Sequence, residues 1–363
     1  GTRPEAIKMA PVIRSLRSSN HIDAVVCSTS QHGKMLQQVF DLFAIKPDID
    51  LAVMEPNQQL NMLFSNVVRE VDRMLDTVEP DWVLVHGDTT TAAASAIAAF
   101  NKSIRIGHVE AGLRTWNMAQ PWPEEMNRTV IDSFADHCYA PTLISKENLQ
   151  RQGIVSDRIF VTGNTVIDAF NDMSDIIDKD EKLSSDLAAR FSYLTEKPHV
   201  VLVTGHRREN FGDGIRNMCH ALKRIAERGD TMIIYPVHLN PNVKIPVERI
   251  LKNDPSIKLI EPLDYASFVY LMKQASVILT DSGGIQEEAS SLGKPILVMR
   301  SVTERPEAVE AGIVKLVGTD PDNIVRFVKA YLQKVKTPNP PVSNPYGDGT
   351  AAEKIISALI NAT

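Results

Sequence analysis

Four short stretches of the chain place an acid or a histidine within two residues of a glycine, each at the end of an apolar run. His86-Gly87-Asp88 follows Trp82–Val85, Glu110-Ala111-Gly112 follows Ile104–Val109, Gly205-His206 follows Val200–Val203, and Asp281-Ser282-Gly283-Gly284 follows Val277–Leu279. An apolar run that ends in this way reads as the carboxyl end of a strand, where open α/β sheets bind their ligands. Asp88, Glu110, Glu124 and His206 are the acid–base candidates. Ser282-Gly283-Gly284 precedes the helical pattern Ile285–Leu292 and suits a diphosphate, because glycine lets the backbone approach and a helix start presents unpaired N–H groups. Glu288, one turn in, would accept hydrogen bonds from ribose hydroxyls.

Each candidate taken singly also has a purely structural role. Asp88 would cap the helix Thr89–Phe100, Glu124 would sit in a first turn after Pro121-Trp122-Pro123, Glu110 would pair with Arg114, and His206 would be satisfied within its loop. Convergence favours function, since three of the four lie at strand ends. No G-x-G-x-x-G or G-x-x-x-x-G-K-[ST] occurs, and Gly212-Asp213-Gly214 lacks its third glycine, so neither an NAD site nor a Walker-type ATP site is expected. His206, His238, Asp88 and Glu110 fit no zinc spacing, and no metal is expected.

The elements that must hold these residues alternate. Candidate strands are Ala24–Cys27, Trp82–Val85, Ile104–Val109, Ile159–Val161, Val200–Val203, Met232–Tyr235, Ile257–Ile260, Val277–Leu279 and Pro295–Val298. Helical periods run through Ala6–Leu16, Leu60–Leu75, Thr90–Phe100, Asn127–Phe134, Ile215–Ile225, Tyr265–Gln274, Ile285–Leu292 and Ala351–Asn361. This alternation implies parallel sheets with right-handed crossovers. The 363 residues exceed what one core organises, so two domains are expected, 1–166 joined by the terminal helix 351–363, and 167–350. The net charge of −6 argues against a chain built to grip nucleic acid. Cys27, Cys138 and Cys219 are far apart, which suggests neither disulfides nor a zinc knuckle and fits a cytoplasmic protein. No apolar run approaches the roughly 20 residues that cross a bilayer. Gly1-Thr2-Arg3-Pro4-Glu5 reads as a strand-to-helix turn, so a few residues are expected before Gly1 in the natural chain.

Taken in order, GTRPEAIKMAP (1–11), HGDTTT (86–91), GHVEAGLRT (107–115), PWPEEMNR (121–128), TGNTVIDA (162–169), TGHRREN (204–210), DSGGIQEEA (281–289), ERPEAV (304–309) and NPYGDG (344–349) resemble the non-hydrolysing UDP-N-acetylglucosamine 2-epimerase family over nearly the whole chain. The resemblance implies two Rossmann-like domains of the glycosyltransferase-B-like class, with a ligand cleft between them, and an isomerase that interconverts UDP-GlcNAc and UDP-ManNAc for bacterial surface polysaccharide, as a homodimer. By motif, Asp88, Glu110 and Glu124 correspond to the catalytic carboxylates and His206 to the active-site histidine. Arg3, Lys8 and Arg305 correspond to substrate contacts, Phe268 to a uracil contact, Ser282, Gly283 and Gly284 to the diphosphate loop, and Glu288 to the ribose contact. Leu263 stands where the family has a glutamine near the base, Ser290 replaces a proline, and Gln31-His32-Gly33-Lys34-Met35 departs from the segment that in some members binds an activating second substrate.

Carbon 2 of such a sugar bears a proton with no adjacent carbonyl to stabilise its loss. Elimination of UDP to 2-acetamidoglucal and re-addition from the opposite face solves this without a cofactor. The route requires tight diphosphate binding, which Ser282-Gly283-Gly284, Arg3 and His206 would supply, and acid–base groups on two faces. It also asks the two domains to close about a hinge near residues 163–170. A hydrolysing 2-epimerase, an epimerase of a UDP-linked diacetamido uronic acid and a non-catalytic sugar-nucleotide sensor are the alternatives.

Overall fold

The computed structural model describes residues 1–30, 33–55, 58–303, 305–334 and 344–362. Gln31 and His32 of the departing segment, and Glu304, lie outside the described residues. The chain divides into two compact units, Gly1–Asp172 with Tyr346–Thr363, and Met173–Pro345. The expected boundary at 166/167 falls inside the helix Thr165–Lys179, which both units share; Met173 and Ile177 on its later turns are buried.

In unit 1, β1 (Cys27–Ser28) pairs with β2 (Ile49–Asp50), and β3 (Trp82–His86), β4 (Arg105–Val109), β5 (His137–Ala140) and β6 (Ile159–Val161) form a parallel sheet in sequence order. The helix Thr90–Asn101 follows β3 and is buried along Ala92–Ala94, Ala96 and Ala98–Ala99, since alanine admits close packing. After unit 2 the chain returns to unit 1. Asn164 N–H donates to the Tyr346 carbonyl at 2.7 Å, Ala352 N–H donates to Asp168 at 2.8 Å, and Ile355 and Leu359 of the helix Ala351–Ile360 pack with Val12, Val109 and Tyr139. Burying one such aliphatic side chain contributes roughly 1.5–3 kcal/mol.

Unit 2 holds one six-stranded parallel sheet of β7 (His199–Thr204), β8 (Thr231–Pro236), β9 (Ile257–Ile260), β10 (Val277–Thr280), β11 (Ile296–Val298) and β12 (Val314–Leu316), in the order β12-β11-β10-β7-β8-β9. The chain runs outward from β7 to β9, then crosses back to β10 on the other side of β7. Strand order therefore reverses between β7 and β10, where Val201 stands beside Val277 and Thr204 beside Thr280. This is the Rossmann order, and such a switch point opens a crevice at the carboxyl ends of its two strands.

Three strands escape the pattern-based reading. β5 reads His-Cys-Tyr-Ala, with no aliphatic run, although Cys138, Tyr139 and Ala140 are buried between β4 and β6. β2 is two residues long and β12 is a three-residue edge strand interrupted by Lys315, so neither offers a run to detect.

Candidate active site

The first group of candidates lies at the carboxyl ends of β3 and β4. β3 ends at His86 and leads through Gly87, at φ +64°, to Asp88; β4 leads directly into Glu110, at φ +67°. A non-glycine residue held in the left-handed region costs on the order of 1–3 kcal/mol, so neighbouring bonds must fix this turn. Gly87 N–H donates to the Val109 carbonyl at 2.9 Å and Ala111 N–H to the Tyr139 carbonyl at 3.1 Å. Fully buried His108 braces both turns: Nδ1 lies 2.5 Å from Asp132 Oδ1, and Nε2 donates to the Gly87 carbonyl at 2.8 Å. Asp132 also accepts from Arg114 Nη2 at 2.5 Å and from Gly112 N–H at 3.2 Å. Burial alone would raise Asp132, but the facing His108 and Arg114 hold it below the usual carboxylate range.

Three carboxylates gather here with two cations. Glu110 binds Lys8, which reaches it from the helix Arg3–Ser18. Asp88 Oδ2 lies 2.6 Å from Arg128 Nη2, and the Asp88 carbonyl accepts from Asn127 Nδ2 at 2.8 Å. Glu124 opens the helix Glu124–Phe134, and its charge reaches Asp88. Burial pushes the Asp88 carboxyl up, Glu110 and Glu124 push it further, and Arg128 and Lys8 oppose. A carboxyl whose proton affinity is raised by burial and by neighbouring carboxylates is better suited to taking and returning a proton than an ordinary exposed one. His86 Nε2 sits 3.8 Å from Glu110 Oε2. Burial drives this imidazole down to about 4, with Lys8 and His108 adding and Glu110 and Glu5 opposing, so it is neutral at pH 7.

Two structural roles weighed for these residues are filled by others. The helix after Asp88 is capped by Thr89, whose side chain accepts from Ala92 N–H at 3.1 Å, and Arg114 pairs with Asp132 while Glu110 pairs with Lys8. Arg3 is the first residue of its helix; Glu5, in the same turn, completes a capping box with Thr2 and accepts from Thr89 Oγ1 at 2.7 Å.

The second group lies at the switch point of unit 2. Asp281, fully buried after β10, accepts from His206 N–H at 2.9 and 3.1 Å, from Arg207 N–H at 2.9 Å and from Asn210 Nδ2 at 3.1 Å. The β7 loop is thus tied to the β10 loop by one carboxylate. Thr280 Oγ1 accepts from Ser282 N–H at 3.0 Å. A side chain on Gly283 would meet Arg305 Cζ at 3.4 Å and Arg207 Nη2 at 3.7 Å, so two guanidinium groups flank this loop. Glu287 accepts from Arg305 Nε at 2.7 Å and orients it. His206 stacks on His238, with centroids 5.3 Å apart; burial, then Arg207 and His238, lower its proton affinity against the pull of Asp281. Glu288 is half-buried on the helix Gly283–Ala289, and Phe268 is half-buried on the helix Tyr265–Gln274.

Lys8, Asp88, Glu110 and Glu124 therefore assemble within unit 1, and His206, Ser282, Gly283, Gly284 and Arg305 within unit 2. His86, His108, Asp132, Arg128 and Asp281 are additional members to which the sequence reading assigned no role of their own at the site. The only available signal was position, since His86 and Asp281 sit at strand ends beside named candidates.

Comparison with known proteins gives this arrangement its context. The sequence profile for UDP-N-acetylglucosamine 2-epimerase matches residues 14–360. UDP-N-acetylglucosamine 2-epimerase of Escherichia coli strain K12 is 51% identical over 365 residues, covering 99% of this chain and 97% of that protein. The crystal structure of UDP-GlcNAc 2-epimerase from Neisseria meningitidis bound to UDP-GlcNAc is 46% identical, with a TM-score of 0.90 over 99% of this chain and 98% of that one. The Methanocaldococcus jannaschii enzyme in complex with UDP-GlcNAc and UDP is 35% identical, with a TM-score of 0.81 over 99% and 98%. The glycosyltransferase-B-like class expected from the motifs is the class of these neighbours. With a profile match and relatives at half identity spanning almost its full length, the chain belongs to the UDP-N-acetylglucosamine 2-epimerase family.

Proposed function

We propose that this chain is a non-hydrolysing epimerase that interconverts UDP-GlcNAc and UDP-ManNAc without a cofactor, supplying the second sugar for bacterial surface polysaccharide. The observation that carries the reading is the cluster of Asp88, Glu110 and Glu124 with Lys8 and Arg128, in which burial and the neighbouring carboxylates raise the proton affinity of Asp88. One carboxylate takes the proton from carbon 2 while the bond from carbon 1 to the diphosphate oxygen breaks. The electrons of the C–H bond become the C1–C2 double bond of 2-acetamidoglucal, and UDP leaves with those of the C–O bond. Re-addition of UDP, with protonation at carbon 2 from the other face by a second carboxyl group, gives the epimer. Ser282, Gly283 and Gly284, with Arg3, Arg305 and His206, bind the diphosphate; Phe268 meets the uracil and Glu288 the ribose. Aimed N–H and guanidinium donors of this kind stabilise a departing anion.

The reading includes a homodimer in the cytoplasm; among the described residues no helix is long and apolar enough to cross a membrane. Sedimentation tests the dimer. The chemistry is tested by NMR of UDP-GlcNAc with the protein in heavy water: deuterium is expected at carbon 2 of both sugars. Turnover without exchange would overturn the elimination, and release of free N-acetylmannosamine would mark a hydrolysing enzyme.

A further inference from the structure

His86 has no task in the chemistry above, yet its placement is unusual. The residue is 7% exposed, and among the described residues neither ring nitrogen has a hydrogen-bond partner. A neutral imidazole carries one N–H, and a buried donor left unmet is unfavourable. The groups that face the ring are Glu110 and His108 from β4 and the turn after it, and Lys8 and Glu5 from the first helix. His108 is committed to Asp132 and Gly87, and Glu5 to Thr89 and Thr2. Among these groups Glu110 remains as an acceptor: its Oε2 lies 3.8 Å from Nε2, and a movement of about 0.8 Å makes an ordinary hydrogen bond. Glu110 stands between a cationic donor that it already binds, Lys8, and a neutral donor that it does not yet bind.

We propose that His86 is a positioning residue for Glu110: when substrate draws Lys8 away, the Glu110 carboxylate turns to the His86 N–H, exchanging a charged partner for a neutral one. The inference rests on the reading of Lys8 as a substrate contact. The exchange has a chemical consequence. An ammonium group favours the ionised carboxylate more strongly than a neutral N–H does. Glu110 therefore gains proton affinity as substrate arrives, as a group that must take a carbon-bound proton and return it requires. Burial keeps the ring uncharged, so it supplies a donor without adding a second cation.

The test uses the full chain with UDP-GlcNAc and the variants His86→Leu and His86→Gln. The Leu variant is expected to lose about 10- to 100-fold in kcat, the worth of one hydrogen bond to a charged group, with little change in KM. The limb of its pH profile that Glu110 governs moves to higher pH, because a donor to the carboxylate has been removed. The Gln variant, whose amide N–H can reach Glu110, recovers most of kcat. In the wild-type protein, ring-nitrogen NMR of His86 shifts towards a hydrogen-bonded donor on saturation with UDP-GlcNAc, a readout that stands even where the Leu variant fails to fold. A Leu variant with unchanged kcat and pH limb, a folded Gln variant no better than Leu, or ring resonances unmoved by UDP-GlcNAc would each overturn the proposal. A wild-type chain that does not turn over UDP-GlcNAc is a failure of the functional reading itself, and takes this inference with it.

Discussion

In unit 1 the candidate side chains are mostly charged and held in ion pairs, whereas in unit 2 the candidate ligand groups are an imidazole, guanidinium groups and a glycine loop, gathered where one buried carboxylate ties two loops together. The contrast follows from what each chemistry demands. Proton transfer needs groups whose ionisation can be moved, and burial beside like charge moves it, as the raised Asp88 shows. Holding a diphosphate needs donors that never change charge and lose little entropy, and the candidates for it, the Gly283-Gly284 loop with Arg207 and Arg305 beside it, sit where Asp281 ties the two loops together by binding the His206 and Arg207 amides. The costs differ too. Unit 1 carries backbone strain at Glu110, braced by His108 and Asp132, while the loop residues Asp281 to Gly284 all have negative φ.

The sharpest way to break this comparison is to neutralise a carboxylate in unit 1. Glu110→Gln or Asp88→Asn is expected to lower epimerisation roughly 10²- to 10⁴-fold, while calorimetry finds UDP affinity within a few-fold of wild type. Equal losses of turnover and UDP affinity would erase the division of labour. A second test separates the units by stability. Ile355 is fully buried on the returning helix of unit 1, so Ile355→Ala should destabilise by about 2–5 kcal/mol. Hydrogen exchange should show the loss of protection in Gly1–Asp172 and not in Met173–Pro345.

These contrasts were only partly visible in the amino-acid order. Val200–Val203 and Val277–Leu279 announce buried strands because aliphatic runs have few other uses, and the polar residues at their ends mark the crevice directly. The charge pairing was hidden. Lys8 and Glu110 are 102 positions apart, and nothing local distinguishes Lys8 as partner from Arg114, which lies four residues from Glu110 and binds Asp132 instead. The cap of the helix after β3 is ambiguous for a related reason: Asp88 and Thr89 both suit the position, and Arg128, brought in from another helix, pairs with Asp88 while Thr89 caps. β5 carries no aliphatic run because, between two neighbouring strands, Cys138, Tyr139 and Ala140 fill the buried positions where a sequence pattern asks for Val, Ile or Leu.

Asp281 tests unit 2 on its own terms. Asp281→Asn keeps the volume but turns an amide N–H towards donors from His206, Arg207 and Asn210. The mismatch should cost about 1–3 kcal/mol and lower UDP affinity correspondingly. Calorimetry measures this, and an unchanged affinity would mean that the two loops need no common anchor to bind.

The same substitution placed in both regions gives the finest discrimination. Gly87→Ala puts a side chain at φ +64°, where L-residues lose about 1–2 kcal/mol, although the new methyl would meet Glu110 Oε1 only at 3.6 Å. Its effect should therefore be on stability, read as a lower thermal midpoint, with Glu110 disturbed secondarily. Gly283→Ala lies in the first turn of a helix, where alanine gains about 0.5–1 kcal/mol over glycine, and its methyl meets Arg305 at an ordinary 3.4 Å. Stability should hold or rise slightly, while UDP binds a few-fold more weakly because the methyl stands where the diphosphate must approach the backbone. If Gly283→Ala leaves UDP affinity untouched, the loop does not contact the diphosphate, and unit 2 must bind its ligand through Arg207, Arg305 and His206 alone.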